Sequence, residues 1–177
     1  MESTSSAIGL IVIVALYITI GVMSAAGSVY IAKSIFNPKT EQIFFGLFLI
    51  LIAGFYLAFT AHFGDRDARR LEAAAVGVFM VCALVGVRVP FVLIVGYLLH
   101  GVWDAVHEFA AHAGATQSGP RQITSVPLGY AFFCATYDVL MATYFYTRRN
   151  QWHTAWSIRS TTCQTPNQID GADREPP

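Results

Sequence analysis

Residues Tyr97–His112 read YLLHGVWDAVHEFAAH, and the fold turns on this stretch. It sets His100, Asp104, His107 and Glu108 inside a segment, Phe91 to Ala111, that is otherwise apolar and long enough to cross a bilayer. An ionisable side chain at that depth costs about 2.5–3.5 kcal/mol on insertion scales, so four within the nine residues from His100 to Glu108 require a compensating role. The segment is therefore expected to be a membrane helix with a working polar face.

Composition agrees with a membrane setting. The 177 residues are 55% hydrophobic and 12% charged, with a mean hydropathy of +0.52. The formal net charge is zero and no Lys/Arg-rich block occurs, so no basic field exists to recruit nucleic acid. Cys82 and Cys134 fall in apolar segments and Cys163 in a polar one; without CxxC spacing they indicate neither a disulfide framework nor a cysteine metal site.

Working outward, four more apolar runs appear. Ala7–Val29 is free of charge and reads as a membrane helix; a signal peptide ending near Ser24-Ala25-Ala26 competes, but nothing basic precedes the run. Lys33, Asn37-Pro38 and Lys39 mark a polar turn before Ile43–Phe63, which only His62 interrupts. The segment GDRDARRLE, Gly64 to Glu72, mixes both signs of charge and is expected in water. In Leu71–Val87, Ala73 and Gly77 have the small-xxx-small spacing that lets helices approach closely. Arg88-Val89-Pro90 ends that run. Ala113–Val126 reads as a loop, and Leu128–Tyr146 as a fifth helix with Asp138 at its centre and Arg148-Arg149 at its exit. The expected fold is all-α: a polytopic membrane helix bundle of about five transmembrane helices, one domain over residues 1–149, followed by a polar tail, 150–177, disordered beyond about Ser160. Counting Lys and Arg on alternate loops favours, by a small margin, an outside N-terminus and a cytoplasmic tail.

On a helix, His100, Asp104 and His107 fall within a stripe of roughly 60°, with Glu108 about 40° beyond Asp104. The fifth helix presents Tyr130, Cys134 and Asp138 on an arc of roughly 80°. Counted from the fourth loop, His100 and Asp138 both lie about 16 Å deep, and Asp104 and Cys134 roughly 10 Å. His62 reaches the same side. His and carboxylate groups suit proton transfer, so Asp104 and Asp138 are candidate acid/base residues with His100 and His107 as partners. Alternatively, His62, His100, His107 and Asp104 supply nitrogen and oxygen ligands that zinc or iron accepts. HEFAAH is not a zinc-protease motif, because HExxH puts its histidines four apart and this one five. The plainer alternatives are helix-to-helix glue for His100 with Asp138, an interfacial position for His62, Glu108 and His112, and ordinary packing for Trp103 and Cys134.

The residues LLHGVWDAVHE, followed after a loop by FCATYDVLMA, resemble a family of small uncharacterised integral membrane proteins. In that family a Leu-His-x-x-Trp-Asp-x-x-His helix precedes one with a Cys and an Asp four residues apart. The resemblance covers about Phe91 to Tyr146 and falls on His100, Trp103, Asp104, His107, Cys134 and Asp138. Where the family often carries a second His, this chain has Glu108, which alters any ligand set. Small membrane-bound cyclases, helical bundles that protonate lipophilic substrates with buried carboxylates, offer a likeness of architecture only.

Taken together, these features lead us to expect a membrane-embedded enzyme acting on a lipophilic small molecule by acid/base or metal-assisted hydrolysis, isomerisation or cyclisation. A proton-coupled carrier or channel subunit is the alternative, although no inverted repeat is visible. A structural membrane subunit is the third reading.

Overall fold

In the computed structural model the chain is described for residues 2–113, 123–127 and 129–157, with side chains from residue 8 and not for residues 111–113. His112, Cys163 and most of the expected fourth loop lie outside the described residues or side chains. Five α-helices follow one another: α1 (Glu2–Ile35), α2 (Pro38–Phe63), α3 (Arg69–Gly86), α4 (Pro90–Ala113) and α5 (Tyr130–Ser157). No strand occurs among the described residues, as the all-α expectation requires. Three stretches, Ile8–Ile35, Pro38–Phe63 and Pro90–Ala110, are long and apolar enough to cross a membrane. The remaining helices carry more charge: α3 opens on Arg69, Arg70 and Glu72, and α5 contains Asp138, Arg148 and Arg149.

Local chemistry sets the turns. The α1–α2 reversal takes only Phe36 and Asn37, because the Asn37 carboxamide oxygen accepts from the Lys39 and Thr40 N–H groups at 3.1 Å and Pro38 fills a first helical position that needs no N–H. Helix α2 ends at Gly64, whose φ of 73° suits glycine. Pro90 starts α4 directly after the last turn of α3 closes through Val87 and Arg88.

α4 and α5 pack antiparallel over much of their length, α1 lies along α5, α2 packs on α3, and α3 on α4. Gly21 permits the α1–α5 contact, since a Cβ there would sit 2.8 Å from the Phe133 carbonyl oxygen. Gly101 lets α4 meet α5 beside Ala135 and Asp138. Phe45, Leu49, Leu93, Tyr97, Met141 and Phe145 fill the middle of the bundle and are wholly buried. The Tyr97 hydroxyl donates to the Phe45 carbonyl at 3.0 Å.

Two expectations change. Ala73 and Gly77 face outward, and a Cβ at Gly77 would meet nothing within 4 Å. The packed face of α3 is instead Glu72, Phe79, Ala83 and Gly86. Helix α5 also continues past Arg149 to Ser157, where a polar tail was expected. Its extension is held by Trp152 and Trp156, whose indole N–H groups donate at 2.9 Å to the buried Glu41 and Gln42 of α2.

Outside and inside are inverted relative to a water-soluble bundle. Large apolar side chains such as Ile11, Met23, Phe91 and Phe109 are 66%, 68%, 68% and 76% exposed. The outward hydroxyls of Thr19 and Thr143 donate at 2.8 Å to the carbonyls one turn back, so that neither faces an apolar medium unpaired. Glu41, Gln42, Glu72, His100, Asp104, His107 and Asp138 are wholly buried. An apolar exterior over a charged interior is what a bilayer stabilises and water does not.

Candidate functional site

Because α4 repeats its polar residues at i, i+4 and i+7, His100, Asp104 and His107 share one face, and that face is turned inward. His100 Nδ1 lies 2.8 Å from Asp138 Oδ2 of α5 and 3.2 Å from Asp104 Oδ2 one turn along α4. The Tyr56 hydroxyl of α2 donates to Asp104 Oδ1. Phe79 of α3 and Tyr56 flank the imidazole, with ring centres 5.1 and 5.9 Å away. Four helices thus supply one buried centre.

The centre is under-satisfied. Among the described residues His100 Nε2 and Asp138 Oδ1 have no hydrogen-bond partner, and Asp104 Oδ2 meets Nδ1 in an ion-pair contact while its carboxyl group lies against that of Asp138. Nδ1 carries at most one hydrogen, which points to the nearer carboxylate, Asp138, and leaves Tyr56 as the hydrogen-bond donor to Asp104. Two carboxylates in a low-dielectric interior are poorly served by one imidazole, and such a centre calls for a proton, a cation or a polar ligand.

A second cluster lies one turn toward the α2–α3 connection. Glu72 Oε1 accepts from Thr124 N–H at 3.1 Å and lies 2.9 Å from His107 Nε2, while Trp103 Nε1 donates to Oε2 at 3.3 Å. His107 Nδ1 faces the Trp103 carbonyl at 2.9 Å. A carbonyl only accepts, so Nδ1 is the donor there, and a further proton must lie between Nε2 and Glu72. Asp65 Oδ2 adds bonds from the Thr124 hydroxyl and Ser125 N–H, fixing residues 123–125 over this end. The Tyr56 ring lies 4.3 Å from the His107 ring and so touches both clusters.

Of the residues singled out by sequence, His100, Asp104 and Asp138 come together: one potential ligand atom from each lies within 4.8 Å of the others, in a nitrogen-and-oxygen donor set that zinc, iron or manganese accepts. His107 belongs to the Glu72 cluster and is not part of this set. His62 is exposed with its ring against Phe63; six residues beyond Tyr56, it lies about 240° further round α2 and points away. The structure thus groups Asp138, and neither His107 nor His62, with His100 and Asp104. Glu108 is buried, and Cys134 is buried on the Asp138 face of α5. Trp103 does more than pack, since it donates to Glu72. Glu72 and Tyr56 escaped the sequence reading. Glu72 had been assigned to water, yet it stands at the head of the register 72, 76, 79, 83, 86, the inward stripe of α3.

Architecture and site define a class: an all-helical bundle with several helices apolar enough to cross a bilayer and a buried His/Asp cluster between them. Within that class, the chain belongs to DUF6010, described as a family of unknown function, which matches residues 16–151 and so includes every residue of both clusters. No curated protein and no solved structure matches.

Proposed function

We propose that this protein is a membrane-embedded enzyme, with all five helices in the bilayer, acting on a lipophilic small molecule by acid/base or metal-assisted chemistry at the His100–Asp104–Asp138 centre. The observation that carries the reading is a buried centre whose reactive atoms, His100 Nε2 and Asp138 Oδ1, are left without partners. A structural polar cluster satisfies its members, as Glu72 is satisfied here; a working site keeps donors and acceptors for its ligand. In the metal-free, acid/base form of this reading Asp138 orients the imidazole through Nδ1 and leaves Nε2 to exchange a proton with substrate; in the metal-assisted form Nδ1 gives up its hydrogen and is the ligand atom. Tyr56 positions Asp104. The reaction is a hydrolysis, isomerisation or cyclisation.

A proton-coupled carrier is the second reading, favoured by Tyr56, which bridges the two clusters. Against it, the layer of Phe45, Leu49, Leu93, Tyr97, Met141 and Phe145 separates the centre from Glu41 and Gln42 at the opposite end. A polar interior interrupted by an apolar layer suits an enzyme better than a relay across the bundle.

The test compares lipid-soluble compounds extracted from membranes that contain the wild type, His100→Ala or Asp138→Asn, alongside thermal unfolding of each protein in detergent. The expected result is a compound altered by the wild type alone, with both variants folded and Asp138→Asn at least as stable as the chelator-treated wild type, because repulsion between carboxylates is relieved. Loss of about 3–5 kcal/mol in Asp138→Asn with no compound altered would instead identify a structural pair.

A further inference from the structure

Resting on the reading of His100, Asp104 and Asp138 as the working site, we infer that these three side chains bind a divalent first-row metal ion, with zinc preferred over manganese and iron(II). The inference stands on donor type, spacing, charge and the unpartnered atoms.

One imidazole nitrogen and two carboxylate oxygens form a three-protein-ligand set that leaves a position open, the arrangement of catalytic rather than structural zinc. Bonds of about 2.05 Å at tetrahedral angles put neighbouring ligand atoms about 3.3 Å apart. The contact from His100 Nδ1 to Asp104 Oδ2 is 3.2 Å, and that to Asp138 Oδ2 is 2.8 Å. Entry of an ion therefore needs the second contact to open by about half an ångström, and needs the two carboxylate oxygens, which lie within 4.8 Å of each other, to take up the same spacing. Charge points the same way. Among the described residues, His100 is the one basic group paired with the centre, and Arg148 is engaged instead with Glu41, across the apolar layer. Two ionised carboxylates and a neutral imidazole carry a charge of −2, which a divalent ion cancels without a proton.

The surroundings are those of a metal centre as well. Tyr56 donates to Asp104 Oδ1, which fixes the carboxylate and keeps Oδ2 toward His100. Asp138 Oδ1, buried and unpartnered, is available as a second ligand atom or as an acceptor for an ion-bound water. Phe79 and Tyr56 pack against the imidazole and limit its movement. Preference for zinc over manganese and iron(II) follows from the general affinity order for nitrogen and oxygen sites.

The experiment uses full-length protein purified in detergent without chelator, incubated separately with zinc(II), manganese(II) and iron(II), desalted, and measured for metal content and melting temperature. The expected result is about one zinc per chain, a melting temperature raised by zinc and lowered again by chelator, and X-ray absorption at the zinc edge showing one imidazole and light oxygen ligands. Asp104→Asn, Asp138→Asn and His100→Ala lose the ion, while His62→Ala retains it. Because the wild-type melting shift needs no variant, the inference stays testable if a substitution prevents folding. Folded wild type that takes up no ion and shows no shift overturns it, as does an ion kept by His100→Ala and Asp138→Asn. If no metal binds but the compound altered in membranes still depends on His100 and Asp138, the metal inference falls and the enzyme stands. Bound metal with no compound altered leaves the site standing and removes the enzyme.

Discussion

Replacing Glu72 by Gln measures how far α3 is tied to the polar interior. The Glu72 carboxylate accepts N–H bonds from Thr124 and Trp103 and faces His107 Nε2, with contacts of 3.1, 3.3 and 2.9 Å. Glutamine keeps the shape but turns one oxygen into an NH₂ group. If its carbonyl keeps Thr124 and His107, the NH₂ points at the Trp103 N–H and one donor is orphaned. Hydrogen bonds to a charged acceptor contribute about 1.5–3 kcal/mol each against about 1 for neutral ones, and an orphaned buried donor costs about 1–3, so two weakened bonds and one orphaned donor together cost about 2–7 kcal/mol. A carboxylate in water, which is where its charged segment GDRDARRLE would put it, changes stability by no more than about 0.5 kcal/mol when neutralised. The assay is denaturant unfolding in mixed micelles, with the exposed Arg70→Gln as the control. A Glu72→Gln protein within about 0.5 kcal/mol of wild type would refute the buried acceptor role of Glu72.

Other substitutions probe the rest of the bundle by the same assay. Trp152→Ala removes a wholly buried indole and a bond to Glu41 beyond the point where a polar tail was expected, and is expected to cost about 3–5 kcal/mol. Gly21→Ala drives a Cβ to 2.8 Å from the Phe133 carbonyl oxygen and is expected to destabilise by about 1–3 kcal/mol as α1 shifts off α5. Gly77→Ala meets nothing within 4 Å and should instead stabilise by up to about 1 kcal/mol through helix propensity, which a buried α3 contact at that position would reverse. His62→Ala is expected to leave stability and metal content unchanged, the former within about 0.5 kcal/mol; a loss of metal would return His62 to the ligand set.

Helix count and approximate extent were legible because charged and turn-forming residues mark the ends of each apolar run, as at Lys33 with Asn37-Pro38 and at Arg88 with Pro90. The core of the site was legible for a related reason. A charged group at depth has few tolerable positions, so His100 and Asp138 could be matched by residue count alone, and their 2.8 Å contact joins two residues of equal expected depth; Asp104, expected level with Cys134, reaches His100 from one turn along the same helix. The ends of the helices were harder. The sequence after Arg149 looks polar residue by residue, and only the partners waiting on α2, Glu41 and Gln42, make Trp152 and Trp156 continue the helix.

What remained hidden follows from the same physics. Hydrophobic periodicity tells inside from outside only when the outside is water. In α2 both faces are apolar, so Tyr56, one of eight tyrosines in the chain, carried no mark that it faces Asp104 while Phe55 faces outward. In α1 the packed side is set by Gly21, whose role depends on the backbone of α5 and not on its own chemistry. In such a bundle it is the polar residues that reveal the inward face. Asp104 selects the face of α4, Asp138 that of α5 and Glu72 that of α3, and once these three are read as one interior, the registers of Tyr56 and Phe79 follow from having to reach them. Misreading Glu72 as a solvated charge therefore removed more than one residue. It removed the mark that orients α3, and with it the reason why the small residues Ala73 and Gly77 lie on the outer face.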